Sequence, residues 1–143
     1  EVKMKFIDLG KQQSFIKEKI NQRISKVLEH GKYIMGPEVY ELEEKLANYV
    51  DAKFCLTCSS GTDALLIPLM AKGIGPGDAV ITTAFSYIAT AEVIKLVGAE
   101  PIFLDVDPET FNLNPEFIPL GIRKAYEKGL NPKAIIPVDL FGL

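Results

Sequence analysis

Histidine and cysteine are scarce in this chain, and that scarcity narrows its chemistry first. Its 143 residues include one histidine, His30, and two cysteines, Cys55 and Cys58. A structural zinc site takes about four ligands, and His30 stands far from the cysteine pair in sequence. The pair falls on a predicted strand, where an odd spacing sends the two side chains to opposite faces. No metal is expected, and Cys55 and Cys58 read as two buried, reduced thiols. Basic clusters are also missing. Sixteen Lys and Arg against 19 Asp and Glu give a net charge of −3, and the lysines are scattered. That argues against a nucleic-acid partner. No apolar run reaches the roughly 18 residues of a membrane span, so no membrane partner is expected. Glu1–Lys5 is no signal peptide; Met4 reads as the native start, and the protein as cytoplasmic. Neither G-x-G-x-x-G nor G-x-x-x-x-G-K-[ST] occurs, which disfavours a generic dinucleotide binder and a P-loop. Repeats and low-complexity segments are absent.

What is present suits one ordinary domain with a core, at 48% hydrophobic and 24% charged residues. Phe15, Ile16, Ile20, Ile24, Val27 and Leu28 recur at helical spacing, which predicts a helix over 11–30 with one apolar face. A turn follows at Gly31. Pro37 suits the first turn of a second helix carrying Glu38, Glu41, Glu43 and Glu44, which read as a solvated face. Phe54–Thr57 reads as a buried strand, and Thr62–Ala71 as a helix despite Pro68. Beyond the Gly/Pro turn at 73–78, strands are predicted at 79–83, 101–106 and 134–140, with helices at 87–97 and 115–128. Alternating strands and helices imply parallel βαβ units with helices on both sheet faces. In such sheets ligands gather where the strands end. The apolar final strand, with no helix after it, reads as the N-terminal part of a longer protein.

Ser59-Ser60-Gly61-Thr62-Asp63-Ala64-Leu65 is the most telling stretch. A small hydroxylated turn opens a helix there, and helix-start amides point outward without partners and favour negative charge. A phosphate fits, held by backbone amides and hydroxyls. Alone, Thr62 reads equally as an ordinary cap. Phe85-Ser86-Tyr87 follows the next strand at the same edge, where an aromatic ring can lie against a planar group. Phe85 reads as core.

The chain resembles the DegT/DnrJ/StrS family of sugar-nucleotide aminotransferases. The matching stretches are FIDL (6–9), HGKYIMGPEVYELEEKLANYV (30–50), SSGTDAL (59–65), the long run GIGPGDAV…ETFNL (73–113) and AIIPVDLFG (134–142). They occur in family order and cover nearly everything from Met4 onward. The resemblance implies an α/β protein of the pyridoxal-phosphate-dependent transferase fold type I. Residues 1–50 would be an N-terminal helical segment, and 51–143 part of the large cofactor-binding domain with its mostly parallel sheet. It implies a homodimer joined partly through the N-terminal helix. Gly61, Thr62 and Asp63 match the turn that cradles the cofactor phosphate, Thr62 with its hydroxyl and amide and Asp63 with its amide, the Asp63 carboxylate being directed away from it. Tyr87 matches the ring that stacks on the cofactor's pyridine. Tyr33 to Gly36, with Tyr33 and Met35 foremost, match a loop near the sugar substrate.

The implied reaction moves an amino group from glutamate to a keto group, at C3, of a UDP- or dTDP-linked sugar, for surface glycan synthesis. The family's Schiff-base lysine and the acid paired with the pyridinium nitrogen fall after Leu143, so these residues alone are expected not to transaminate. Asp139, where many relatives have another polar residue, is not that acid. Two alternatives stand beside this reading: a pyridoxamine-phosphate-dependent sugar dehydratase of the same fold, and a non-catalytic dimerisation module. FIDL and YIMGPE favour the amino-transferring members.

Overall fold

A computed structural model describes residues 6–143, so the reading of Glu1–Lys5 lies outside the described residues. The chain divides into two compact units, Glu1–Thr57 and Cys58–Leu143.

The first unit is helical. Helix α1, Leu9–His30, begins before the expected start at 11 because Asp8 Oδ1 accepts the Lys11 N–H at 3.0 Å. It ends where Gly31 turns left-handed, at φ 65°, and its N–H donates to the Val27 carbonyl. The expected apolar stripe is present, and Phe15, Ile24 and Leu28 on it are exposed. Helix α2, Pro37–Tyr49, has Pro37 in its first turn, as its fixed φ favours. Three of the four glutamates depart from the expected solvated face. Only Glu44 is fully exposed. Glu41 pairs with Arg23 and, at 2.6 Å, with Lys45. Glu38 meets His30, and Glu43 accepts the Thr57 N–H at 2.8 Å and its hydroxyl at 2.9 Å.

That last contact bears on a second correction. Phe54–Thr57 is irregular chain and not a buried strand, with Phe54 and Leu56 78% and 85% exposed. The Thr57 amide is bonded to a side chain and is lost to any strand ladder. Cys55 and Cys58 are both free thiols, but Cys55 is only half-buried and Cys58 is exposed, because the strand expected to bury them does not form.

The second unit is α/β. Its elements are α3 (Gly61–Ala71), β1 (Asp78–Thr83), α4 (Ala89–Leu96), β2 (Glu100–Leu104), a 3₁₀ turn (Pro115–Phe117), α5 (Ile118–Glu127) and β3 (Asn131–Ile135). The strands form one parallel sheet in the order β2-β1-β3, with Ile81 opposite both Ile102 and Ile135. The alternation of β1 serves two cores. Val80 packs with Leu69, Val93 and Ile94 of α3 and α4. Ala79 and Ile81 pack with Ile102, Leu104 and Ala125 of α5 on the other face. The expected βαβ layering is therefore present.

The expected helix over 115–128 is a 3₁₀ turn followed by α5, and further boundaries also differ from expectation. The last strand is 131–135 and not 134–140, for Pro137 has no N–H to extend the ladder; Ile136 makes its last bond, to the Ile81 carbonyl at 2.9 Å. The strand expected at 101–106 closes at Leu104. Helix α4 starts at Ala89, so Tyr87 lies in the turn before it. Among the described residues no helix is long and apolar enough to cross a membrane.

Ile94 is wholly buried, so Ile94→Ala is expected to cost about 2–5 kcal/mol through lost burial and a residual cavity. Urea unfolding of the whole protein reads this as a lower midpoint. Lys45 and Arg23 hold the Glu41 carboxyl down from 4.5 to about 2. A depressed carboxyl stabilises the fold fully above its unfolded value and loses that contribution as pH falls through the folded one. Glu41→Gln is therefore expected to flatten the change of unfolding midpoint with pH between 4.5 and about 2.

Candidate functional site

Three parallel strands place all their carboxyl ends on one edge. The short connections from α3 to β1 and from α4 to β2 bring the helix C-termini to the strand starts. The N-termini of α3 and α4 therefore face the opposite, carboxyl edge. The residues after β1, β2 and β3 leave from that edge too.

At α3 the cap is Ser60, extended at φ −160°, whose Oγ accepts the Asp63 N–H at 3.2 Å. The Ser59 hydroxyl donates to Asp63 Oδ2, and the Cys58 thiol donates to the Ser60 carbonyl at 3.3 Å. The Ala64 N–H takes the first helical bond, to the Ser60 carbonyl at 3.0 Å. Among the described residues the Gly61 and Thr62 amides have no acceptor. Gly61 fronts open space: a Cβ built there meets nothing within 4 Å. The turn thus offers two outward N–H donors, the Thr62 hydroxyl and the positive end of a helix dipole. These donors and the open approach fit a phosphate group. Contrary to expectation, the amide of Asp63 is not free for a phosphate, because it is bonded to Ser60; its carboxylate is tied to Ser59.

Past β1, the Thr83 Oγ1 accepts the Phe85 N–H at 3.1 Å, and the Ser86 and Thr90 hydroxyls lie 2.7 Å apart. These bonds fix the turn that carries Tyr87. The Tyr87 ring is 75% exposed, while its carbonyl accepts the Thr90 N–H at 3.1 Å. Gly61, Thr62, Asp63 and Tyr87 therefore share one unit and its carboxyl edge.

Phe85 is not core. Its ring packs against Phe111 and Phe141, at centroid distances of 5.6 and 6.3 Å, and those two meet edge-on at 5.4 Å. The trio joins the turns after β1, β2 and β3. Phe111 adopts φ 61° at the end of a turn closed by Asp107, whose Oδ1 accepts the Glu109 N–H at 3.0 Å and the Thr110 N–H at 2.9 Å. Those backbone bonds hold the Asp107 carboxyl below its ordinary range. Nothing in the sequence marked the meeting of three phenylalanines.

Tyr33 and Met35 lie in the first unit, between α1 and α2, and both side chains are exposed. Met35 sits at φ 48°, a left-handed conformation that costs a non-glycine residue about 1–3 kcal/mol. Gly36 is buried, and a Cβ there would stand 2.4 Å from the Lys32 carbonyl oxygen, so only glycine closes this loop. His30 and Glu38 flank it, and sequence reasoning passed over both. The Glu38 carboxyl is lowered by its own backbone N–H and then by the His30 imidazole. Among the described residues no group of three or more His, Cys, Asp or Glu side chains could hold a metal.

A family model described as the DegT/DnrJ/EryC1/StrS aminotransferase family matches residues 14–143. The chain is 52% identical to the UDP-2-acetamido-2-deoxy-3-oxo-D-glucuronate aminotransferase of Pseudomonas aeruginosa, over 97% of its own length and 37% of that protein's. It is similar to the crystal structure of a DegT DnrJ EryC1 StrS aminotransferase from Brucella abortus, at 54% identity and a TM-score of 0.92, over 98% of this chain and 38% of that one. A Bacillus subtilis structure, NtdA with bound cofactor PMP, matches at 36% identity and a TM-score of 0.76, over 87% and 27%. The chain thus spans well under half the length of these relatives.

Replacing Ser60 by Ala removes the cap of α3, and about 0.5–2 kcal/mol of stability is expected to go with it. Urea unfolding of the whole protein measures this, and an unchanged midpoint would show that the cap is dispensable.

Proposed function

The chain belongs to the DegT/DnrJ/EryC1/StrS aminotransferase family, and on that premise we propose that the whole protein is a pyridoxal-phosphate-dependent sugar-nucleotide aminotransferase. It moves an amino group from glutamate to the C3 keto group of a nucleotide-linked sugar. The product serves surface polysaccharide synthesis, such as lipopolysaccharide O-antigen. The protein works as a cytoplasmic homodimer, and the exposed apolar stripe of α1 supports a helix-mediated contact. Residues 1–50 form its helical segment, and 51–143 belong to its cofactor-binding domain. One observation carries the cofactor assignment: a helix start with two free amides and open space before Gly61, at the carboxyl edge of a parallel sheet.

The residues divide the work. The Gly61 and Thr62 amides and the Thr62 hydroxyl hold the phosphate, whose charge the α3 dipole favours. Asp63 gives the turn its shape: Ser60 orders its amide, and Ser59 ties back the carboxylate that would otherwise repel the phosphate. The Tyr87 ring covers one face of the pyridine and keeps water from it. Tyr33 and Met35 border the sugar. The bound cofactor supplies an electron sink that lets an amino group leave one carbon and join another.

The test uses the whole protein, glutamate and a UDP-linked 3-keto sugar. Amino-sugar formation dependent on added pyridoxal phosphate is expected, and its absence overturns the reading. Thr62→Ala is expected to weaken cofactor affinity about tenfold to a hundredfold, the worth of a hydrogen bond to a charged group. Tyr87→Ala is expected to weaken it about twofold to tenfold, the worth of one stacked ring. Titration of cofactor absorbance measures both.

A further inference from the structure

The loop between α1 and α2 is held by one imidazole that uses both of its nitrogens. Nδ1 of His30 accepts the Lys32 N–H at 2.9 Å, just inside the loop. Nε2 stands 3.2 Å from each carboxylate oxygen of Glu38, on the far side of the loop. With Nδ1 accepting from Lys32, Nε2 is the nitrogen whose N–H is donated to Glu38. The ring is therefore a brace from the loop's first amides to the first turn of α2. A second closure lies inside it, where the Lys32 carbonyl presses on Gly36 too closely for any side chain. Between the two closures stand Tyr33 and Met35, the latter held at φ 48°. A left-handed methionine with an exposed side chain relaxes unless its flanks are fixed. Here the fixing elements are His30, Glu38 and Gly36.

We infer that His30, bridging the Lys32 amide and the Glu38 carboxylate, is a positioning residue that locks the 31–36 loop and so sets Tyr33 and Met35 for the sugar. The second half of that statement rests on the reading of Tyr33 and Met35 as sugar contacts. His30 itself touches no reacting group in this arrangement; it acts through the loop.

Amide hydrogen exchange and steady-state kinetics on the whole protein test the two halves separately. In His30→Ala, exchange at the Lys32 amide, which His30 accepts, is expected to rise about tenfold while the β1 amides stay as protected as before. His30→Asn, whose Oδ1 can take the place of Nδ1 toward Lys32, is expected to restore part of the protection. The Michaelis constant for the UDP-linked 3-keto sugar is expected to rise about threefold to tenfold in His30→Ala, with that for glutamate unchanged. Unchanged exchange at the Lys32 amide overturns the brace. Raised exchange with an unchanged sugar constant, in a protein where Tyr33→Ala does raise it, overturns the positioning role. If neither His30→Ala nor Tyr33→Ala moves the sugar constant but exchange rises, the sugar-loop reading falls and the brace stands.

Discussion

Burial of β1 on both faces is the constraint from which the second unit is built. A parallel strand flanked by two others has no face left for water, and Ala79 to Thr83 are all buried. Val80 commits one side to α3 and α4, and Ala79 and Ile81 commit the other to α5. A shift of one residue in this strand would exchange the two cores. The polar residues obey the same constraint. Thr82 is fully buried, and its hydroxyl is satisfied by the Ile136 carbonyl at 2.9 Å, which also fastens the chain just past β3. Once β1 is seated, the directions of its neighbours and the common edge of their exits follow.

That edge can take an anion without a cationic side chain. The α3 turn contains no lysine or arginine, and its nearest ionic group, the Asp63 carboxylate, has the wrong sign. Backbone amides supply the donors, and helix geometry aims them. This accounts for a phosphate-binding arrangement in a chain of net negative charge. It also explains why small residues gather there: bulk at Ser59, Ser60 or Gly61 would occupy the approach.

Much of this was legible in the sequence where a pattern is enforced by its own neighbours. The period of Phe15, Ile20, Ile24 and Leu28, the proline at the start of α2, and the glycines that end helices all report local geometry, and each led to the right element. The alternation of strands and helices from Asp78 onward was equally plain, for β1 and α4 bury most of their apolar positions. What escaped the sequence depends on partners distant along the chain. Phe54–Thr57 has the residues of a strand but its Thr57 amide is bonded to Glu43, fourteen positions earlier. Two of the solvated glutamates were misread for the same reason, because Arg23 and His30 come back to them from another helix. Gly61 and Thr62 could be singled out from their composition and position alone. The roles of Ser59 and Ser60 could not, since both depend on a turn whose bonds run within five residues in a pattern that several turn types share.

Phe85, Phe111 and Phe141 come from three loops, two of them also joined where Asn112 Nδ2 donates to the Leu143 carbonyl at 3.3 Å. Each contributes part of a ring pair whose remaining surface faces water, so loss of one ring strips two neighbours at once. Residues in contact in this way are coupled energetically, so substitutions at them are not expected to add. A change at one of them alters what the other two can accept, although roughly 90–200 Å of extended chain would separate them before folding. The sheet edge thus has two kinds of loop: the small polar turn of α3 lies outside the trio, and the loops after the three strands are packed to one another through it.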